Sequence, residues 1–222
     1  MDPVAVPVGQ SLKARNAALA AENRRRFQDR NLLVLNVLSS PGAGKTALLE
    51  RTLTDLKGQV RAAVVVGDLA TDNDARRLRR SGSPAVQITT GTICHLEAAM
   101  IARACDDLDL DHLDLLVIEN VGNLVCPAGY DLGEDVRVVV YSVTEGEDKP
   151  LKYPTAFKSA HVVVVSKTDL AEATGFDRPT ALENIGRLAP QARILELSAR
   201  SGQGLESWYD FLRQRLRDRP SR

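Results

Sequence analysis

Ser39-Ser40-Pro41-Gly42-Ala43-Gly44-Lys45-Thr46 separates two stretches of opposite character. An apolar, strand-like run, Leu32-Leu33-Val34-Leu35-Asn36-Val37-Leu38, leads into it, and a helix-like run, Thr46-Ala47-Leu48-Leu49-Glu50-Arg51-Thr52-Leu53, leads out. Strand, glycine-rich turn, Gly-Lys-Thr and helix in this order are the context of a phosphate-binding P-loop. Small residues let successive backbone N–H groups converge on phosphate oxygens, and the helix N-terminus adds its positive dipole end. The candidate nucleotide contacts are Pro41, Gly42, Ala43, Gly44, Lys45, Thr46 and Ala47. Lys45 is placed to reach the β- and γ-phosphates, and the Thr46 hydroxyl to ligate Mg²⁺. Ser39 stands where the pattern G-x-x-x-x-G-K-[ST] has its first glycine. The alternative is an ordinary glycine-containing turn.

Outward from this stretch, apolar runs recur. Arg61–Asp68 is continuous and ends in an acid, as suits a strand buried on both faces of a parallel sheet. Further strands are expected at 85–88, 115–119, 136–141, 161–166 and 192–197, with helical patterns at 72–80, 92–104, 178–188 and 204–218. Strand alternating with helix predicts an α/β fold of the P-loop NTPase class, a doubly wound, mostly parallel sheet with helices on both faces. The domain expectation is an N-terminal tail and helix over 1–30, then a P-loop GTPase domain over 31–222. Residues 1–9 read as a loose tail. Residues 11–28 read as a helix that packs as an extension or serves a partner.

Composition narrows the function classes. The 222 residues carry 29 basic and 29 acidic side chains, so no global field steers the chain to nucleic acid or an anionic membrane. The clusters Arg24-Arg25-Arg26 and Arg76-Arg77-Leu78-Arg79-Arg80 read as solvated helix faces. There is no apolar signal-peptide core and no run long enough to span a membrane. Three cysteines are an odd count and too few for a disulfide framework. Reduced thiols in the cytoplasm are expected.

In a doubly wound sheet ligands sit beyond the carboxyl ends of the strands, so the polar residues there are the candidates for chemistry. Asp68 and Glu119 each end an apolar strand and are read, with Thr46, as Mg²⁺ ligands; Lys45, Thr46, Asp68 and Glu119 form the candidate catalytic set. Asp68 opens a polar loop able to sense the γ-phosphate, whereas Asp72 and Asp74 suit helix capping equally well. Ser166-Lys167-Thr168-Asp169 resembles the guanine-reading Asn-Lys-x-Asp of GTPases, with serine in place of asparagine. Asp169 would accept from guanine N1–H and the exocyclic amine, and Lys167 would lie along the base. Ser198-Ala199-Arg200 resembles the loop that covers guanine. Together they favour GTP and GDP over adenine nucleotides.

Cys94-His95, read as opening a helix, and Cys126, seven residues past Glu119, bring sulfur and imidazole near a switch segment. Their spacing is no metal signature by itself, and packed cysteines are the open alternative. Thiolate and imidazole do suit Ni²⁺ or Zn²⁺.

These stretches, with Gly67-Asp68, Thr71, Asp74-Ala75, Glu119-Asn120-Val121-Gly122-Asn123-Leu124-Val125-Cys126-Pro127-Ala128 and Glu145-Gly146-Glu147-Asp148-Lys149-Pro150-Leu151-Lys152-Tyr153-Pro154, resemble the HypB family of hydrogenase nickel-incorporation GTPases, from about residue 11 to 217. The resemblance implies a GTP-dependent metallochaperone delivering nickel to the [NiFe] hydrogenase large subunit. It also implies a GTP-favoured homodimer with metal at its interface and a HypA-type partner. Carried over by position, the metal ligands are Cys94, His95 and Cys126. The Cys-x-x-Cys-Gly-Cys site and His-rich tract of some members are absent from the sequence, so bulk nickel storage is not expected. Turnover is expected to be slow, because no glutamine follows a D-x-x-G motif and no arginine finger is assignable. Lys149 and Lys152 either act on phosphates or the facing subunit, or solvate a loop. Competing readings are a regulatory GTPase without metal, a P-loop small-molecule kinase and a metal buffer.

Overall fold

The computed structural model describes residues 8–219 other than Thr71, and the side chains from residue 12 onward. The expected tail lies outside it up to residue 7. Seven strands form one sheet: β1 (Leu33–Ser39), β2 (Ala62–Asp68), β3 (Ala85–Thr89), β4 (Leu115–Glu119), β5 (Val136–Ser142), β6 (Val162–Ser166) and β7 (Arg193–Glu196). Their order is β3-β2-β4-β1-β5-β6-β7. All six pairings are parallel, so the sheet is wholly rather than mostly parallel. The continuous apolar runs follow from this, since every residue of β1, β4, β5 and β6 is buried.

The helices are α1 (Val8–Gln28), α2 (Lys45–Asp55), α3 (Asn73–Arg79), α4 (Ala98–Ala104), α5 (Lys149–Lys152), α6 (Pro154–Lys158), α7 (Arg178–Leu188) and α8 (Leu205–Arg217). On one face α2, α3 and α8 pack Leu48, Leu78 and Trp208 against Leu35, Val37 and Val138. On the other, α1 and α4 set Phe27 and Ile101 on Val34, Val65 and Leu116. Beside them α6 and α7 set Phe157 and Ile185 on Leu38, Val139 and Val163. Helices on both faces bury both surfaces of the sheet, which leaves the strand ends for ligands.

Two expectations are corrected. The helix expected over 92–104 begins only at Ala98, and Cys94-His95 stand in the turn before it. The backbone N–H of Leu96 bonds the Asn120 side chain at 3.3 Å, which holds that turn out of the helix. The Arg24–Arg26 cluster is a solvated face only at Arg25. Arg24 makes two bonds to Asp131, at 2.7 and 2.9 Å, and Arg26 donates to the Ala102 carbonyl and pairs with Asp106. The second cluster keeps its exposed face at Arg76, Arg79 and Arg80, while Arg77 pairs with Glu50 of α2 at 2.5 Å.

The long N-terminal helix is also stitched into the fold by buried amides. Asn23 donates to the carbonyls of Ala98 and Leu132 at 2.9 and 3.1 Å. Asn16 donates to the Asp131 carbonyl and accepts from the Ala98 N–H, both at 2.8 Å. A side chain of α1 therefore satisfies a free N–H at the start of α4.

Candidate nucleotide and metal site

The chain leaves β1 at Ser39 and enters α2 at Lys45 through Gly44, whose φ of 103° an L side chain rarely adopts. Lys45 is 8 % exposed, and its ammonium donates to the Ser39 hydroxyl at 3.0 Å. The departure from the usual first glycine thus supplies an acceptor for the loop lysine. Burial lowers the Lys45 pKa, against the fields of Glu119, Asp74 and Asp68.

Glu119 closes β4 at 2 % exposure. Its Oε1 accepts from the Thr46 hydroxyl at 2.6 Å, while its Oε2 is buried with no protein partner. Burial pushes its pKa up to about 7, opposed by Lys45 and the Thr46 bond. A buried carboxylate oxygen without a partner is costly, and one beside a P-loop threonine suits a hard cation. Pro41, Lys45, Thr46, Asp68, Asp74 and Glu119 all line one cavity of about 400 Å³.

A second cavity, of about 280 Å³, shares Gly44 and Ala47 with the first and is lined by Ser166, Lys167, Asp169, Ser198, Ala199 and Arg200. Lys167 adopts φ 57°, and its ammonium donates to the Gly42 carbonyl at 2.7 Å. Ser166 donates to the Ala43 carbonyl at 2.7 Å. The serine that replaces asparagine thus ties this turn to the P-loop. Asp169 is exposed at the mouth of the cavity.

Cys94, His95 and Cys126 converge with their ligand atoms all within 4.8 Å of one another, and among the described residues no other group of three His, Cys, Asp or Glu does so. The Cys94 thiol beside Cys126 pushes the Cys126 pKa up. The His95 ring stacks on Tyr130 with centroids 4.0 Å apart, a contact absent from the sequence reading. Glu97 lies 3.5 Å from His95 Nε2, too long for a good hydrogen bond, and both ring nitrogens are buried without one. Two thiols and an unsatisfied imidazole make a donor set for a borderline-soft metal. Cys105, by contrast, is wholly buried, and burial raises its pKa to about 11.

Short segments connect the two sites. A Cβ on Gly122, between Glu119 and Cys126, would lie 3.1 Å from Pro41 Cα of the P-loop. One on Gly67, beside Asp68, would lie 2.8 Å from the Leu96 side chain next to His95. Lys149 and Lys152 are not brought to the phosphate cavity. Lys149 pairs with Glu145 at 2.9 Å and Lys152 with Asp148 at 2.6 Å. Thr71 lies outside the described residues. Among those residues no helix is long and apolar enough to cross a membrane.

The family model "CobW/HypB/UreG, nucleotide-binding domain" matches residues 33–196. The chain is 48 % identical over 207 residues to hydrogenase maturation factor HypB of Rhizobium leguminosarum bv. viciae, covering 93 % of this chain and 69 % of that protein. The crystal structure of Helicobacter pylori HypB in complex with nickel superimposes with a TM-score of 0.88 at 45 % identity, covering 94 % of this chain and 99 % of that one. That of HypB from Archaeoglobus fulgidus gives a TM-score of 0.86 at 41 % identity, over 91 % and 99 %. With this nearly whole-chain likeness, the chain belongs to the HypB family of hydrogenase maturation factors, P-loop NTPases of the CobW/HypB/UreG class.

Proposed function

We propose that this chain is a GTP-hydrolysing metallochaperone that carries Ni²⁺ on Cys94, His95 and Cys126 and delivers it to the [NiFe] hydrogenase large subunit. The observation that carries the reading is that two thiol sulfurs and one imidazole nitrogen lie within 4.8 Å of one another, on loops packed against the P-loop and the end of β2. A site so placed can change its hold on metal when the nucleotide changes.

Thr46, Asp68 and Glu119 would hold Mg²⁺, which neutralises charge on the β- and γ-phosphates when bound. Lys45 moves from Ser39 onto those phosphates. Asp169 selects guanine by accepting from N1–H and the exocyclic amine, Lys167 flanks the base, and Ser198, Ala199 and Arg200 cover it. No residue is assigned to orient the attacking water, so hydrolysis is slow and acts as a timer.

Three donors per chain leave the metal shell short, so water or a second copy completes it, in keeping with a GTP-favoured homodimer. Zn²⁺ suits the same ligands. A HypA-type nickel chaperone and the hydrogenase large subunit are the protein partners, and the work is done in the cytoplasm. A regulatory GTPase without cargo explains the nucleotide site but leaves the unsatisfied His95 between two thiols without a role.

The test is Ni²⁺ titration of the reduced protein, apo, with GDP and with a non-hydrolysable GTP analogue, following thiolate charge-transfer absorption and dimer fraction together. Nucleotide-dependent affinity lost in Cys126→Ala supports the reading. Nucleotide binding with no thiolate–nickel band leaves a GTPase whose cysteines only pack.

A further inference from the structure

Asn36 sits in the middle of β1, wholly buried, flanked in register by Ile118 of β4 and Arg137 of β5. Its strand neighbours on the same face, Val34 and Leu38, belong to two separate hydrophobic clusters. An apolar side chain would bridge them without needing partners. Instead Asn36 divides them, and both ends of its amide are used.

On one side, Asn36 Oδ1 accepts from Asn120 Nδ2 at 3.2 Å. Asn120 directly follows Glu119, and its Oδ1 accepts from the N–H groups of Leu96 and Val121 at 3.3 and 3.0 Å. Leu96 directly follows His95. On the other side, Asn36 Nδ2 donates to Glu134 Oε1 at 3.1 Å. The same oxygen accepts from Arg137 Nε and Nη2 at 2.9 and 2.6 Å. Arg137 then donates to the carbonyls of Ala128 and Tyr130 at 3.0 and 2.8 Å. Those residues lie just past Cys126, and the Tyr130 ring is the one stacked on His95.

We propose that Asn36, Asn120, Glu134 and Arg137 are positioning residues, forming a buried hydrogen-bond relay through which the nucleotide at Glu119 sets the geometry of the Cys94–His95–Cys126 metal site. The proposal rests on the reading of that cluster as a nucleotide-controlled nickel site. Buried ionic networks do not as a rule hold a fold better than apolar packing, so stability alone does not account for this one. Its members satisfy one another. A displacement of Asn120 with Glu119 therefore either carries the Leu96 N–H along, and His95 with it, or breaks buried bonds. The opposite arm, through Arg137, fixes the backbone that follows Cys126 and supports the His95 ring. Both metal-bearing loops are thus referenced to one asparagine in the central strand. Because the coupling is thermodynamic, nickel at the far end must also alter nucleotide affinity.

The experiment compares the full reduced chain with Asn36→Val and with Arg137→Lys, the latter keeping the charge opposite Glu134 if the strand variant fails to fold. Ni²⁺ titrations are run in GDP and in guanylyl imidodiphosphate, with thermal unfolding in parallel. In the variants GDP affinity and nickel affinity in the GDP state should stay within about threefold of wild type, while the ratio of nickel Kd values between the two nucleotide states shrinks at least about fivefold toward one. Variants that melt earlier but keep the wild-type ratio would show a merely structural network and overturn the relay alone. A wild-type chain with no nucleotide-dependent nickel affinity would overturn the relay together with the reading beneath it.

Discussion

Ser166 donates its hydroxyl to the Ala43 carbonyl at 2.7 Å, joining the end of β6 to the P-loop. One residue on, Lys167 donates to the Gly42 carbonyl at 2.7 Å. Two bonds thus tie the turn after β6 to the P-loop. Ser166→Ala leaves the Ala43 carbonyl short of its partner in a buried place. It should destabilise the fold by about 1–2 kcal/mol and weaken GDP about tenfold. Paired calorimetric binding and thermal melts check this; unchanged GDP affinity would mean the tie is incidental.

Asp169 is exposed and lines the second cavity together with Ser198 and Ala199. Its carboxylate can only accept, which fits the two donors on the guanine edge. Asp169→Asn turns one acceptor into a donor and should cut GTP affinity on the order of a hundredfold. The same change should raise affinity for xanthosine triphosphate, whose base carries a carbonyl in place of the amine. Competition binding with the two nucleotides reads this directly, and an unaltered preference would assign base choice elsewhere.

The sheet was legible because continuous apolar runs such as Ala62–Val66 and Val162–Val165 need burial on both faces, which a parallel α/β sheet provides. The P-loop and the cysteine–histidine cluster were legible because local spacing or family likeness carried them. What spacing could not show is which polar side chains meet across the chain. Asn36 and Glu134 are 98 residues apart, and Asn16 and Asp131 are 115 apart, so nothing local marks them as partners. For the same reason the Arg24–Arg26 run looked solvated, since Asp131 and Asp106 lie far along the sequence. The late start of α4 was hidden too. Residues 92–97 read as continuous with the helical pattern, but Leu96 is drawn to Asn120 and against Gly67.

Gly67 makes that contact possible. An added Cβ would meet three carbons of Leu96 at 2.8 to 2.9 Å. Gly67→Ala should destabilise by about 1–3 kcal/mol through overpacking. It should also lower nickel affinity, because the displaced Leu96 carries His95 with it. Chemical denaturation and a nickel titration check both parts; full nickel affinity in the variant would uncouple Leu96 from the metal site.

His161 predicts a pH dependence. Its Nδ1 accepts from the Arg137 backbone N–H at 2.9 Å, which requires the neutral ring. Partial burial lowers its pKa, the charges of Arg137 and Arg215 lower it further, and Glu134 opposes them. A pKa held below the unfolded value of about 6.5 means that the unfolded chain binds the proton more readily. This contribution to stability is present above about pH 6.5 and is lost as pH falls toward the folded pKa. Urea midpoints measured between about pH 7.5 and 5.5 should fall less steeply in His161→Gln than in wild type. Parallel profiles would contradict the assignment.

Whether Cys94, His95 and Cys126 hold nickel together is read by nickel K-edge X-ray absorption of the reduced, nickel-loaded protein. Two sulfur scatterers and at least one imidazole are expected around the nickel, with one sulfur lost in Cys94→Ala and the imidazole signature lost in His95→Ala. A shell of oxygen and nitrogen alone, unchanged in both variants, would contradict that ligand set.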